Sequence, residues 1–183
     1  IIKSVLSSIL LGAVLAIIVL ALFLKDIRPT IVVAFSIPFS VLFAIIIMYF
    51  TGININVMSL AGLCLGIGML VDNSIVVMEN IYRFRNEGMS ASKAAVRGTA
   101  QVAGPILAST ITTICVFLPM VYTSGMVSQL LMPFAFTISY ALIASLLVAL
   151  TVVPTMGSVL LRKTKDVKQP WFDKIEDVYG KVL

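Results

Sequence analysis

The chain has 183 residues, 60% hydrophobic and only 11% charged, with a mean hydropathy of +1.12 and a formal net charge of +5. A soluble domain is about a quarter charged, so these numbers exclude an ordinary soluble fold. Continuous apolar runs of about 20 residues point to membrane-spanning helices and exclude a transmembrane barrel, whose segments alternate.

Five runs are long enough to cross a hydrocarbon core of about 30 Å at about 1.5 Å per residue. In chain order they cover 5–24, 31–50, 57–78, 103–122 and 133–160. The expected fold class is therefore an all-α membrane protein with a five-transmembrane-helix bundle over 1–162. A basic cytoplasmic linker and an amphipathic interfacial helix follow over 163–183. The first run is too long for a signal-peptide core and lacks a cleavage pattern. It starts with almost no leader, so the chain reads as cut from something longer. Pro38 lies in the middle of the second run and predicts a kink. Pro105 and Pro119 fall near the ends of the fourth, and Pro154 is placed to bend or end the fifth.

The connections alternate in charge. Lys25 and Arg28 lie between runs one and two. Arg83, Arg85, Lys93 and Arg97 lie between three and four, and Arg162, Lys163, Lys165 and Lys168 follow run five. The opposite connections, 51–56 and 123–132, contain no lysine or arginine, and Lys3 is the one basic residue on that side. The positive-inside rule puts the amino terminus outside and the carboxyl terminus in the cytoplasm of a cell membrane. Because the basic residues flank the spans, the positive charge reports topology and not a nucleic-acid partner. Ser90 is a candidate cap for a cytoplasmic helix. Trp171, Phe172, Ile175, Val178, Tyr179 and Val182 recur at helical spacing. That helix lies in the membrane interface or packs on the cytoplasmic ends of the bundle.

One carboxylate stands inside the spans. Asp72 sits in Gly66-Ile67-Gly68-Met69-Leu70-Val71-Asp72-Asn73-Ser74 of the third run. An acidic group at bilayer depth costs about 2.5–3.5 kcal/mol on insertion scales and normally faces a protein or water-lined interior. Burial disfavours the charged form of a carboxyl and a nearby cation favours it, so such a group can load on one side and release on the other. At 3.6 residues per turn, Ala61, Leu65, Gly68, Asp72, Ile75, Val76 and Glu79 share a face. Gly68 leaves room for a neighbour, and Gly62 and Gly66 form a close-packing pair. Glu79 reads as an interfacial charge or a proton exit. Thr110 and Thr113 of the fourth run share a face and are placed to approach Asp72. Thr137, Ser139, Tyr140, Ser145 and Thr151 are too scattered to define a site.

No span contains lysine or arginine, so any cation for Asp72 comes from elsewhere. With no histidine in the chain, a histidine relay or histidine-ligated metal is excluded. Cys64 and Cys115 lack metal-like spacing, and no cofactor is implied. A phosphate-binding Gly-rich Lys-Ser/Thr motif is absent, which argues against an ATP-driven enzyme.

The motif from Gly66 to Ile81, with Gly104-Pro105-Ile106, Ser109-Thr110-Ile111-Thr112-Thr113 and Leu146 to Pro154, resembles the resistance-nodulation-division (RND) superfamily. The likeness is to its hydrophobe/amphiphile efflux branch, and it covers essentially the whole chain. It implies a place equivalent to helices two to six of a twelve-helix transporter. The second half and the large porter domains would lie outside this chain. It further implies proton-driven export of amphiphilic compounds or drugs by a homo-oligomer, a trimer in that family. Many relatives carry two adjacent aspartates on the fourth helix and a lysine on the tenth. Asp72 matches the first aspartate, whereas Asn73 replaces the second. Together they are the proton-coupling candidates, with Gly68, Thr110, Thr113 and Glu79 in support. Two other readings are a sterol-sensing-like five-helix module that recognises lipid without proton coupling, and an inert packing fragment.

Overall fold

The computed structural model describes residues 27–163 and, upstream, residues 7, 11, 12 and 14. Apart from those four positions, the expected first span lies outside the described residues, as does the amphipathic helix carrying Trp171 and Phe172. Four long apolar helices make up the described bundle: α1 (Ile27–Phe50), α2 (Val57–Asn86), α3 (Ala91–Val121) and α4 (Met126–Leu160). A single 3-10 turn, Leu161–Lys163, follows. Among the described residues the expected five-helix, sterol-sensing-like bundle is thus corrected to four long apolar helices. The count is that of the described segments both helical and apolar enough to cross a bilayer.

The helices also begin and end where hydropathy alone did not place them. At 30 and 31 residues, α2 and α3 are each about 45 Å long, well beyond a hydrocarbon core of about 30 Å. Their surplus turns form a helical hairpin, and the helix expected from Ser90 onward is the first part of α3 and not a separate element. Ser90 occupies the N-cap of α3 but makes no side-chain capping bond. Pro105 consequently lies inside α3 and not near its end. The reason is that 91–102 carries alanines and long polar side chains, which favour helix without being apolar.

Local chemistry fixes the turns. Asn56 and Ser59 close the start of α2 reciprocally. The Ser59 N–H donates to Asn56 Oδ1 at 2.8 Å, and the Asn56 N–H donates to Ser59 Oγ at 2.8 Å. Gly88, at φ +90°, ends the helix in a Schellman motif. Its N–H donates to Arg85 O at 3.2 Å and the Met89 N–H to Phe84 O at 3.2 Å.

The centre of the bundle is the α2–α4 pair, the most extensive contact in the fold. Lipid tails are as apolar as leucine, so helices in a bilayer associate through close packing and interhelical hydrogen bonds. Gly62 and Gly66 supply that closeness. A Cβ at Gly62 would stand 2.8 Å from Phe134 O, and one at Gly66 2.8 Å from Ala141 Cβ. The facing surface of α4 is small as well, with Ala135, Ala141, Ala144 and Ala149 buried. By contrast, α1 exposes Phe35, Phe39, Leu42, Phe43 and Ile46, the surface expected to meet lipid.

Candidate functional site

Asp72 lies near the middle of α2, and its position follows from helical rotation. Each residue turns the helix by about 100°, so Asp72 and its two successors cannot share a face. Asp72 is exposed, whereas Asn73 and Ser74 are buried. Among the described residues, Asp72 has no hydrogen-bond or ion-pair partner.

The next two residues bind α2 to every other helix. Asn73 Nδ2 donates to Ser145 Oγ of α4 at 3.3 Å and, more weakly, to Thr110 Oγ1 of α3 at 3.5 Å. The Ser74 hydroxyl is hydrogen-bonded to that of Ser36 in α1 at 2.9 Å, and Ser36 donates to Val33 O at 2.7 Å. A polar layer of five side chains therefore crosses the bundle at the level of Asp72, while Asp72 itself points away from it.

The expected stripe on α2 is present as one exposed face. Ala61, Leu65, Gly68, Asp72, Val76 and Glu79 all lie on it, and Ile75 turns partly toward the core. A Cβ built on Gly68 meets nothing within 4 Å, which leaves open space one turn from the carboxylate. Thr110 is buried and engages Asn73, not Asp72. The Thr113 hydroxyl donates to Ser109 O of its own helix at 2.9 Å. The structure thus separates the candidates. Gly68, Asp72 and Glu79 share the outer face, Asn73 and Thr110 lie inside, and Thr113 caps a backbone carbonyl.

Sequence reasoning missed Ser36 and named Ser145 without giving it a place in a site. Each is one of several hydroxyls in its apolar helix, and only the three-dimensional register brings it to residues 73 and 74. It also missed Gln101, whose Oε1 accepts from Asn80 Nδ2 at 3.2 Å and from Arg83 Nη2 at 2.9 Å. Asn80 Nδ2 donates a second bond to Gly98 O at 2.7 Å. This clasp joins the C-terminal end of α2 to the N-terminal part of α3. Among the described residues, no three His, Cys, Asp or Glu side chains gather to hold a metal.

The whole chain, residues 1–183, matches the AcrB/AcrD/AcrF family. It is 37% identical over 190 residues to the swarming motility protein SwrC of Bacillus subtilis (strain 168), covering 100% of this chain and 18% of that protein. It is 38% identical over 162 residues to the multidrug resistance protein MdtC of Escherichia coli (strain K12), covering 88% of this chain and 16% of the relative. The chain spans less than a fifth of the length of these curated relatives. With a family match over its full length and, among the described residues, four helices long and apolar enough to cross a bilayer, the chain is a multi-pass membrane segment and belongs to the AcrB/AcrD/AcrF family.

Proposed function

We infer that this chain is the proton-coupling membrane part of an RND-type transporter that exports amphiphilic compounds, with Asp72 as the proton carrier. The observation that carries the reading is the exposure of Asp72 in the apolar middle of α2, two turns from the next carboxylate on that face, Glu79. If the bundle met lipid there, the carboxylate would face hydrocarbon at about 2.5–3.5 kcal/mol on insertion scales. A covering surface that brings a cation or water removes that cost. The second half of a longer transporter is the natural cover, given the small fraction of its relatives that this chain spans.

In this reading Asp72 alone titrates at the helix centre. Asn73 sits beside the carrier and holds α2 through Thr110 and Ser145, Gly68 admits the covering surface, and Thr113 and Glu79 flank the path. The basic residues at the α2–α3 hairpin put that end in the cytoplasm. Protons then run inward from Asp72 toward the hairpin as substrate leaves, in a homo-oligomer that carries porter domains outside the membrane.

The test uses the full-length transporter in proteoliposomes with an imposed pH gradient. Asp72→Asn preserves size and removes the titrating group, and export of an amphiphilic dye is expected to fall to background. Export at the unmodified rate would remove the basis for the reading.

A further inference from the structure

A groove of about 540 Å³ opens between α2 and α3 at the polar end of α2. Val76 and Val102 form its apolar wall, and its charged lining is Glu79 and Arg83 of α2 with Glu87 at the C-cap. Its depth in a bilayer follows from helix length. A hydrocarbon core of about 30 Å takes up about 20 residues, so a core entered at Val57 ends near Val76 to Met78. Val102 directly precedes the apolar run 103–122 of α3, which puts it at the same edge. The headgroup layer beyond is about 5–7 Å thick, little more than one helical turn. Glu79 and Arg83, one turn apart, therefore stand in that layer.

The charged groups of the groove are held unequally. Arg83 is fixed on three sides. Nη2 donates to Gln101 Oε1 at 2.9 Å, Nε lies 3.8 Å from Glu87 Oε1, and the guanidinium carbon stands 5.2 Å from the centre of the Phe84 ring. Nη1 is left over, with no partner among the described residues. The Glu79 carboxylate is exposed and has neither a hydrogen bond nor an ion pair among the described residues. The groove thus offers a fixed guanidinium edge and a free carboxylate about 6 Å apart along the axis. An anion alone is repelled by Glu79 and Glu87, and a cation alone leaves Nη1 unused. A ligand that carries both charges a few bonds apart, on an apolar stem, satisfies all of these groups. Membrane phospholipids with a primary amine have that form. Their phosphate suits the planar fork of arginine, and their ammonium gives N–H donors to a carboxylate.

We propose that this groove binds the headgroup of an amine-bearing phospholipid of the phosphatidylethanolamine class. Arg83 Nη1 donates to the phosphate, and the ammonium donates to the Glu79 carboxylate. The glycerol end meets Val76 and Val102, and the acyl chains pass from there into the bilayer. A choline headgroup has the same charges but no N–H, so it forfeits the bond to Glu79. A glycerol headgroup is anionic and brings no cation at all. The site requires only that the bundle be immersed in a bilayer. Neither the proton-coupling reading of Asp72 nor the sidedness of the chain enters it.

The experiment measures lipid binding to the full-length transporter in detergent by native mass spectrometry. The probes are phosphatidylethanolamine, phosphatidylcholine and phosphatidylglycerol with identical acyl chains. The first is expected to bind about tenfold more tightly than the other two, the scale of one hydrogen bond to a charged group. Glu79→Ala touches no contact of the fold and is expected to bring the ethanolamine lipid to within about twofold of the choline lipid. Arg83→Lys keeps the charge but loses the fork, and is expected to weaken both zwitterionic lipids by about threefold or more. Lys93→Gln, a change on α3 outside the groove, should leave all three lipids within about twofold of the unmodified protein. Equal affinity for the ethanolamine and choline lipids overturns the proposal, as does a preference that survives Glu79→Ala. Unchanged binding in Arg83→Lys removes the phosphate contact and overturns it too. Tightest binding by the glycerol lipid, or equal losses in Lys93→Gln and Arg83→Lys, would mark a general basic surface in place of this site.

Discussion

The contact between Gly98 and Ile81 allows the packing argument to be tested with one methyl group. A Cβ at Gly98 would stand 2.9 Å from both the backbone N and the Cα of Ile81, and 3.0 Å from its Cγ1. Carbon atoms pack best at about 3.5–4.0 Å, so α2 and α3 would have to part by about 0.6–1 Å. Two of the three atoms are backbone and Ile81 is fully buried, so no side-chain rotation relieves the clash. Parting the helices also stretches the 2.7 Å bond from Asn80 Nδ2 to Gly98 O toward the limit of a hydrogen bond. Overpacking costs about 1–3 kcal/mol, and a weakened buried amide adds about 1 kcal/mol. Alanine returns about 1 kcal/mol through helix propensity. The balance is a destabilisation of about 1–3 kcal/mol for Gly98→Ala. Thermal unfolding of the purified chain in detergent, followed by circular dichroism, should show a lowered midpoint. The clash lies mainly with backbone, so adding Ile81→Val should not restore it. A midpoint at or above that of the unmodified chain, or rescue by Ile81→Val, would refute the reasoning.

Other outcomes follow from the polar layer and from charge placement. Asn73→Ala removes the amide that joins α2 to α3 and α4, and stability should fall by about 1 kcal/mol, the scale of interhelical hydrogen bonds in membranes. Unfolding in mixed micelles checks this, and an unchanged stability would mean that the 3.3 and 3.5 Å contacts carry no weight. Sidedness is checked by single cysteines in a chain whose Cys64 and Cys115 have been replaced by alanine. Ser92→Cys should react with an impermeant maleimide only from the cytoplasmic side, and Ser124→Cys only from outside. The reverse pattern would invert the topology.

The legible parts of this chain were those fixed by period and by composition. The stripe Ala61-Leu65-Gly68-Asp72-Val76-Glu79 is a property of one helix, so it was readable before any partner was known. The close packing at Gly62 and Gly66 was readable for a similar reason, since small residues one turn apart admit a neighbouring helix. What the sequence did not carry was register between helices. Nothing local links Asn73 to Ser145 or Ser74 to Ser36, and Thr110 was placed toward Asp72 because its face, but not its depth, was known. Hydropathy also drew the helix ends at the membrane boundary, although alanine-rich polar turns carry α3 well beyond it. Hydropathy counts five runs because it reads length and apolarity alone, and four of them are long apolar helices among the described residues.

Pro105 lies part-way along α3 and, lacking an N–H, leaves the carbonyl of Gln101 without its helical donor. The side chain of that same residue accepts from Asn80 and Arg83 in the clasp. A missing rung of the α3 ladder is therefore next to the turn anchored to α2, which is how a joint is made in a long rod. The segment above Pro105 can tilt with the membrane bundle while the segment below it stays fastened to α2. A tilt of the upper segment would thereby bend α3 at Pro105 and leave the clasp of Asn80, Arg83 and Gln101 closed.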